Sequence, residues 1–275
     1  MRSIKRLPDF DGIPFTFKIE SYSESEAFNL LQKTIAKSRE VISNIVITFK
    51  GDWEDCPSTN IRMVMGHWII KAVRLLVTLT VLCKEIDLSV NANIFHRQIF
   101  ELCLQTRFFS KLSDTGKEEN AIKIKIFGCL EYLEKMEPVK DNEHVKNAYK
   151  EVSDYLNTFD DKLVKNYKEE RNHRKYFWFG CSFSQLANEL SCEGENLRGV
   201  YQIISADIHG VWDLVLDVKN PEPGVLNFRG YPNNKTMYIR GVETLDQATL
   251  LVMEMWNEIA ECVGAEKVTF IKDNQ

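Results

Sequence analysis

Residues Ile94 to Phe109 constrain the fold more than any other stretch of this chain. On a helical wheel, Ile94, Phe95, Ile99, Phe100, Leu102, Cys103, Leu104, Phe108 and Phe109 point in nearly every direction. A helix that is apolar all round offers no side to water, so it belongs at the centre of a bundle. The rest of the chain must then supply helices to enclose it. With 275 residues it has the length for a large core, and 13 Gly and 7 Pro are too few breaks for an all-β protein. The 44% apolar and 27% charged content excludes bulk disorder.

The enclosing helices can be read from apolar spacing and their start signals. Residues 1–22 form an irregular arm broken by Pro8, Gly12 and Pro14. Ser23 and Glu26 make a capping box, followed by Ala27, Leu31, Ile35, Ile42 and Ile45 at helical spacing. Pro57-Ser58-Thr59-Asn60 opens a second helix over about 60–86, and the third runs over about 89–113. A fourth covers about 118–136 and stops before Pro138. The clearest amphipathic stripe, Val145, Tyr149, Val152, Leu156, Phe159, Leu163 and Tyr167, predicts one helix over about 141–170. A sixth spans about 196–217, and a last one starts at Thr244, capped with Gln247, and ends near Gly264. Between them, 220–241 reads as a small irregular or β-hairpin insert. There Val225-Leu226-Asn227-Phe228 and Met237-Tyr238-Ile239-Arg240 flank Asn233-Asn234. The expectation is one all-α domain, 23–275, of about seven helices behind the arm.

Compartment follows from charge and cysteine usage. The seven cysteines are odd in number and form no CxxC pair, which predicts reduced thiols in the cytoplasm. The basic start, Met1 to Arg6, lacks a following apolar run and is no secretory signal. Met63 to Cys83 is the most apolar stretch, but it holds His67, Lys71 and Arg74, so a buried helix is expected there and no membrane contact. A net charge of −5 gives no global field for nucleic acid, and any such contact must be local.

Two polar stripes interrupt the apolar pattern. Arg97, Glu101 and Gln105 stand four apart on the central helix. An ionised Arg or Glu enclosed there needs a partner, and a buried pair would make Glu101→Ala cost about 3–5 kcal/mol. On the sixth helix Arg198, Tyr201, Ser205, His209 and Trp212 share one face among Val200, Ile203, Ile204, Ile208 and Val211. If the stripes meet, an imidazole that titrates near neutrality stands beside a guanidinium able to clamp a phosphate. The bland alternative is a structural ion pair with a satisfied core histidine. Arg171 to Lys175, followed by Tyr176 to Phe179, places cations beside aromatics. Arg174 and Trp178 then become candidates to grip a single strand, unless the aromatics turn into the core. The five histidines have no metal-site spacing, and no metal or other cofactor is expected.

Three segments, Arg97-Gln-Ile-Phe-Glu101, Trp178 to Ala187, and Tyr201 to Gly210, resemble in order and spacing an uncharacterised prokaryotic all-helical domain family. That family has an Arg-x3-Glu helix, a Trp-Gly-Ser-Leu-Ala type segment and a Tyr-x3-Ser-x3-His helix. The resemblance covers about residues 25–215. Families of this kind are similar to the HEPN superfamily (higher eukaryotes and prokaryotes nucleotide-binding). Many HEPN members are metal-independent RNases of toxin–antitoxin and antiviral systems, and many act as dimers. The resemblance implies a HEPN-like bundle, a homodimer, and RNA or a nucleotide as partner.

The superfamily's usual signature is Arg, four to six residues, then His. Arg62 and His67 fit it literally, but one such match is expected by chance among 12 Arg and 5 His, and Met63 replaces the usual polar residue. The set carried forward is therefore Arg97, Glu101 and His209 as catalytic, with Tyr201, Ser205, Arg198, Arg174 and Trp178 as substrate-binding. His209 would take a proton from a ribose 2′-hydroxyl, Arg97 would stabilise charge at phosphorus, and Glu101 would hold Arg97 or the imidazole in place. No general acid is evident, because His96 points about 100° away from Arg97. The alternative is a non-catalytic helical module that binds a small anionic ligand or a partner protein.

Overall fold

The computed structural model describes residues 22–49, 58–84, 92–174, 177–191, 196–208 and 234–268. Among them it is all-helical. The helices are α1 (Glu24–Phe49), α2 (Thr59–Leu82), α3 (Ala92–Ser110), α4 (Asp114–Met136), α5 (Glu143–Leu156), α6 (Asp161–Arg174), α7 (Phe183–Leu190), α8 (Leu197–Ile208) and α9 (Asn234–Val263), with one 3₁₀ turn at Glu137–Val139.

As its all-round apolarity requires, α3 packs against α2, α7, α8 and α9 and also touches α4. Ile99, Phe100, Leu102, Cys103, Leu104 and Phe109 are buried in these contacts. The longest partner, α9, lies along both α1 and α3. Trp256 is fully enclosed in that layer, with its indole N–H donating 3.0 Å to the carbonyl of Glu266. The α1/α9 seam is mostly apolar, but Ser38 and Thr249 share a buried hydrogen bond of 2.8 Å. At Gly241 the two helices nearly touch: a Cβ there would stand 3.2 Å from Leu31 Cδ1 and 3.5 Å from Cys83 Cβ. Only glycine fits that approach without moving its neighbours.

Local start signals operate as the sequence predicts. The Ser23 hydroxyl accepts from the Glu26 N–H while the Glu26 carboxylate accepts from the Ser23 N–H, closing the capping box of α1. Ser58 accepts from the N–H groups of Asn60 and Ile61 at the start of α2.

Three expectations need correction. The long amphipathic segment is two helices, because Asn157 caps α5 and the Asp160 carboxylate accepts from the N–H groups of Lys162 and Leu163 to start α6. Its apolar stripe rests mainly on α4, and no residue of α5 is fully buried. Met237-Tyr238-Ile239-Arg240 is helical and not a strand: Met237 and Ile239 are buried in the first turns of α9. The Thr244/Gln247 pair consequently lies inside that helix and caps nothing. Residues 220–233 of the expected insert and 1–21 of the arm lie outside the described residues.

By length and composition α2 is apolar enough to cross a membrane, and half of its most apolar window is buried inside the bundle. Among the described residues no cysteine is in a disulfide. Burial pushes the Cys83 thiol up to about 12 and leaves it protonated.

Candidate functional site

The stripe on α3 meets α8 as its spacing allows. Arg97 Nε donates to Glu101 Oε1 at 2.8 Å, one turn along the same helix. Arg97 Nη2 donates to the Tyr201 hydroxyl of α8 at 2.9 Å, and that hydroxyl donates to Glu101 Oε1 at 3.3 Å. Guanidinium, carboxylate and phenol thus close a triangle across the α3/α8 seam. The Tyr201 ring stacks on Phe100 and leans on Phe183, which fixes the hydroxyl from behind. Nη1 of Arg97 has no hydrogen bond among the described residues.

The cluster is less enclosed than the sequence suggested. The side chains of Arg97 and Glu101 are 25% and 20% exposed, so the pair opens to solvent at one edge. A partly hydrated pair strands less charge when broken, and the cost of Glu101→Ala falls to about 1–2 kcal/mol. Burial works against the Arg97 charge, yet the hydrogen bond and proximity of Glu101, followed by Tyr201, hold its guanidinium above the ordinary value. Arg97 is therefore a fixed cation at every physiological pH.

Gln105 continues the stripe in another way. Its side-chain oxygen accepts from the Trp178 indole N–H at 3.0 Å. Trp178 is brought there by a tight turn in which the Gly180 N–H donates to the Phe177 carbonyl, with Gly180 at φ 78, a left-handed conformation that favours glycine. The indole is buried among Trp68, Phe108 and Phe109. Its burial and its bonded N–H match the alternative in which these aromatics turn into the core. The capping-box spacing Ser182-x2-Gln185 was the signal for the helix that follows, α7, which the apolar pattern alone did not yield.

Other candidates disperse. Arg198 is exposed and lines a cleft of about 160 Å³ with Ser184, Gln185, Asn188 and Glu189, between α7 and α8 and apart from the Arg97 triangle. Ser205, one turn beyond Tyr201, has a buried hydroxyl with no hydrogen-bond partner among the described residues. His96 is buried, its Nε2 has no partner among the described residues, and burial pushes it down to about 4, so it is neutral at pH 7. Arg62 and His67 are both exposed on α2, but five residues separate them by about 140° around the axis, and they do not converge. His209 and the Arg174 side chain lie outside the described residues.

Residues 62–224 match a family of unknown function (DUF5677). That span runs from the first turn of α2 through α8, and hence takes in both sides of the Arg97–Tyr201 seam, while α1 and the whole of α9 fall beyond it. No curated protein and no solved structure matches the chain.

Proposed function

The chain belongs to the DUF5677 family, and from that premise and the α3/α8 geometry we propose that it is a HEPN-like, metal-independent endoribonuclease, an effector or toxin of prokaryotic antiviral defence that works as a homodimer. The observation that carries the reading is Arg97. Its guanidinium is oriented by Glu101 and Tyr201, its side chain is 25% exposed, and its Nη1 has no hydrogen bond among the described residues. Such an arrangement can receive a phosphodiester oxygen without reorganising. The buried hydroxyl of Ser205, with no partner among the described residues, adds a group that gains from a polar ligand or water.

In the proposed reaction His209, two turns beyond Tyr201 in sequence, takes the proton of a ribose 2′-hydroxyl. The 2′-oxygen attacks the adjacent phosphorus while Arg97 stabilises the added negative charge. The P–O5′ bond breaks, leaving a 2′,3′-cyclic phosphate and a 5′-hydroxyl whose proton comes from water or from a group of the second subunit. Purified protein should cleave total RNA in EDTA, and His209→Ala should slow it by about 100-fold or more. Wild-type protein that leaves RNA intact, or a variant that cuts at the same rate, removes the nuclease reading.

One observation favours a second reading. Glu101 already neutralises much of the Arg97 charge, as in a site that recognises an anion without reacting with it. A non-catalytic module binding a small anionic ligand would show thermal stabilisation by a nucleotide that Arg97→Ala abolishes, together with no RNA cleavage.

A further inference from the structure

The outward side of α2 carries a feature the polar seam does not use. Met63, His67, Ile70, Arg74, Val77 and Val81 are all exposed, and their steps are four, three, four, three, four. They fall within about 80° of arc and extend for about 27 Å. The four aliphatic members are 39–53% exposed. This is the seam of a heptad repeat, with Met63, Ile70 and Val77 at d and His67, Arg74 and Val81 at a. Lys71 stands at the flanking e position, and α2 contains no acidic residue. The other side of the same helix is already committed to α1, α3, α4 and α9.

We propose that this face docks an acidic amphipathic helix of a partner protein, laid along α2 as in a two-stranded coiled coil. The aliphatic d positions supply the apolar contact, and a partner carboxylate meets Arg74, with another beside Lys71. Charge decides against the other occupants. A second copy would set Arg74 and Lys71 against cations of its own α2, with no carboxylate on either helix to offset them. A membrane surface suits helices with a broad apolar face, bulky Trp, Phe or Leu, and cations at the margins. Here His67 and Arg74 lie on the midline, the apolar members are Met, Ile and Val, and the arc is narrow. Burial followed by the Lys71 and Arg74 charges lowers the His67 imidazole below its ordinary value, which favours its neutral form in the free chain.

The probe is a synthetic helical peptide of about 21 residues with leucine at a and d and glutamate at e and g, and a second peptide with lysine in place of each glutamate. Titrated by fluorescence anisotropy, the acidic peptide should bind the full chain and the basic one should not. Arg74→Glu should weaken binding about tenfold or more, and Arg74→Gln should give a smaller loss, both with unchanged circular dichroism. The proposal is overturned if the acidic peptide is not bound or binds the Arg74→Glu variant equally well. It is also overturned by sedimentation showing a dimer that Ile70→Asp dissolves, or by binding to phosphatidylserine vesicles that Arg74→Glu removes.

Discussion

Two arginines stand on the same helix, ten residues apart, and are held by different kinds of partner. Arg107 lies 3.5 Å from Glu254 and 3.7 Å from Glu258, both on α9, and Ser110 also donates to Glu258. Its side chain is 13% exposed. Every one of these contacts joins α3 to another helix, so the charge acts as a staple. Arg97 takes its carboxylate from its own helix, and its bond to α8 is to a neutral phenol. A pair within one turn does little to hold two helices together. What it does is aim a guanidinium, and the aimed group is the one open to solvent. That contrast is the physical reason for placing function at the Arg97 end of α3 and structure at the Arg107 end.

Acid offers the largest handle on this difference. His96 is next to Arg97 in sequence but faces the interior, where burial holds it near 4 against an ordinary 6.5. The unfolded chain therefore binds the proton first as pH falls. The neutral imidazole's contribution is complete above about pH 6.5 and is lost progressively towards pH 4, a change of up to about 3 kcal/mol. Urea denaturation at several pH values should show a shallower acid slope for His96→Leu than for wild type. Parallel slopes would mean that His96 is hydrated in the native state, and the Arg97 end of α3 would then be open on both sides.

Next comes the arginine pair itself. Arg107→Ala removes two ion pairs that tie α3 to α9, and should cost about 2 kcal/mol. Arg97→Ala leaves one carboxylate that water can reach and should cost about 1 kcal/mol, while abolishing RNA cleavage or nucleotide binding. Equal losses of stability would erase the distinction between staple and aimed cation. A greater loss at Arg97 would invert it.

The central position of α3 was legible because an all-round apolar helix has only one place to go, and the starts of α1 and α2 were legible because their caps are local. The meeting of Arg97 with Tyr201 could be anticipated from two polar stripes on two apolar helices. Their degree of enclosure could not, since it depends on how closely α8 approaches α3. The break at Asn157–Asp160 escaped because apolar spacing of three and four runs straight through a tight turn, and only the capping carboxylate reveals the interruption. Asn233-Asn234 with flanking apolar residues looks like a hairpin in isolation. Packing of Met237, Ile239 and Val242 into the core makes the second flank a helix. Trp178 was ambiguous for the same reason: a cation-rich neighbour suggested a surface role, and burial beside Trp68 matches the core alternative.

The smallest expected effect tests the link between the two halves of the triangle. Tyr201→Phe removes one hydroxyl and keeps the ring that stacks on Phe100 and leans on Phe183. The Arg97 guanidinium carbon stands 5.3 Å from the centre of that ring, so a cation–π attraction survives the change. Only the bonds of 2.9 Å to Arg97 and 3.3 Å to Glu101 are lost, worth about 0.5–1.5 kcal/mol together. Denaturation should place the variant within that range. Its defect in cleavage or ligand binding should be larger than its defect in stability, because a guanidinium held at Nε alone can swing about that bond. A variant that loses stability and keeps full activity would show that Glu101 suffices to aim Arg97, and that α8 contributes packing and no orientation.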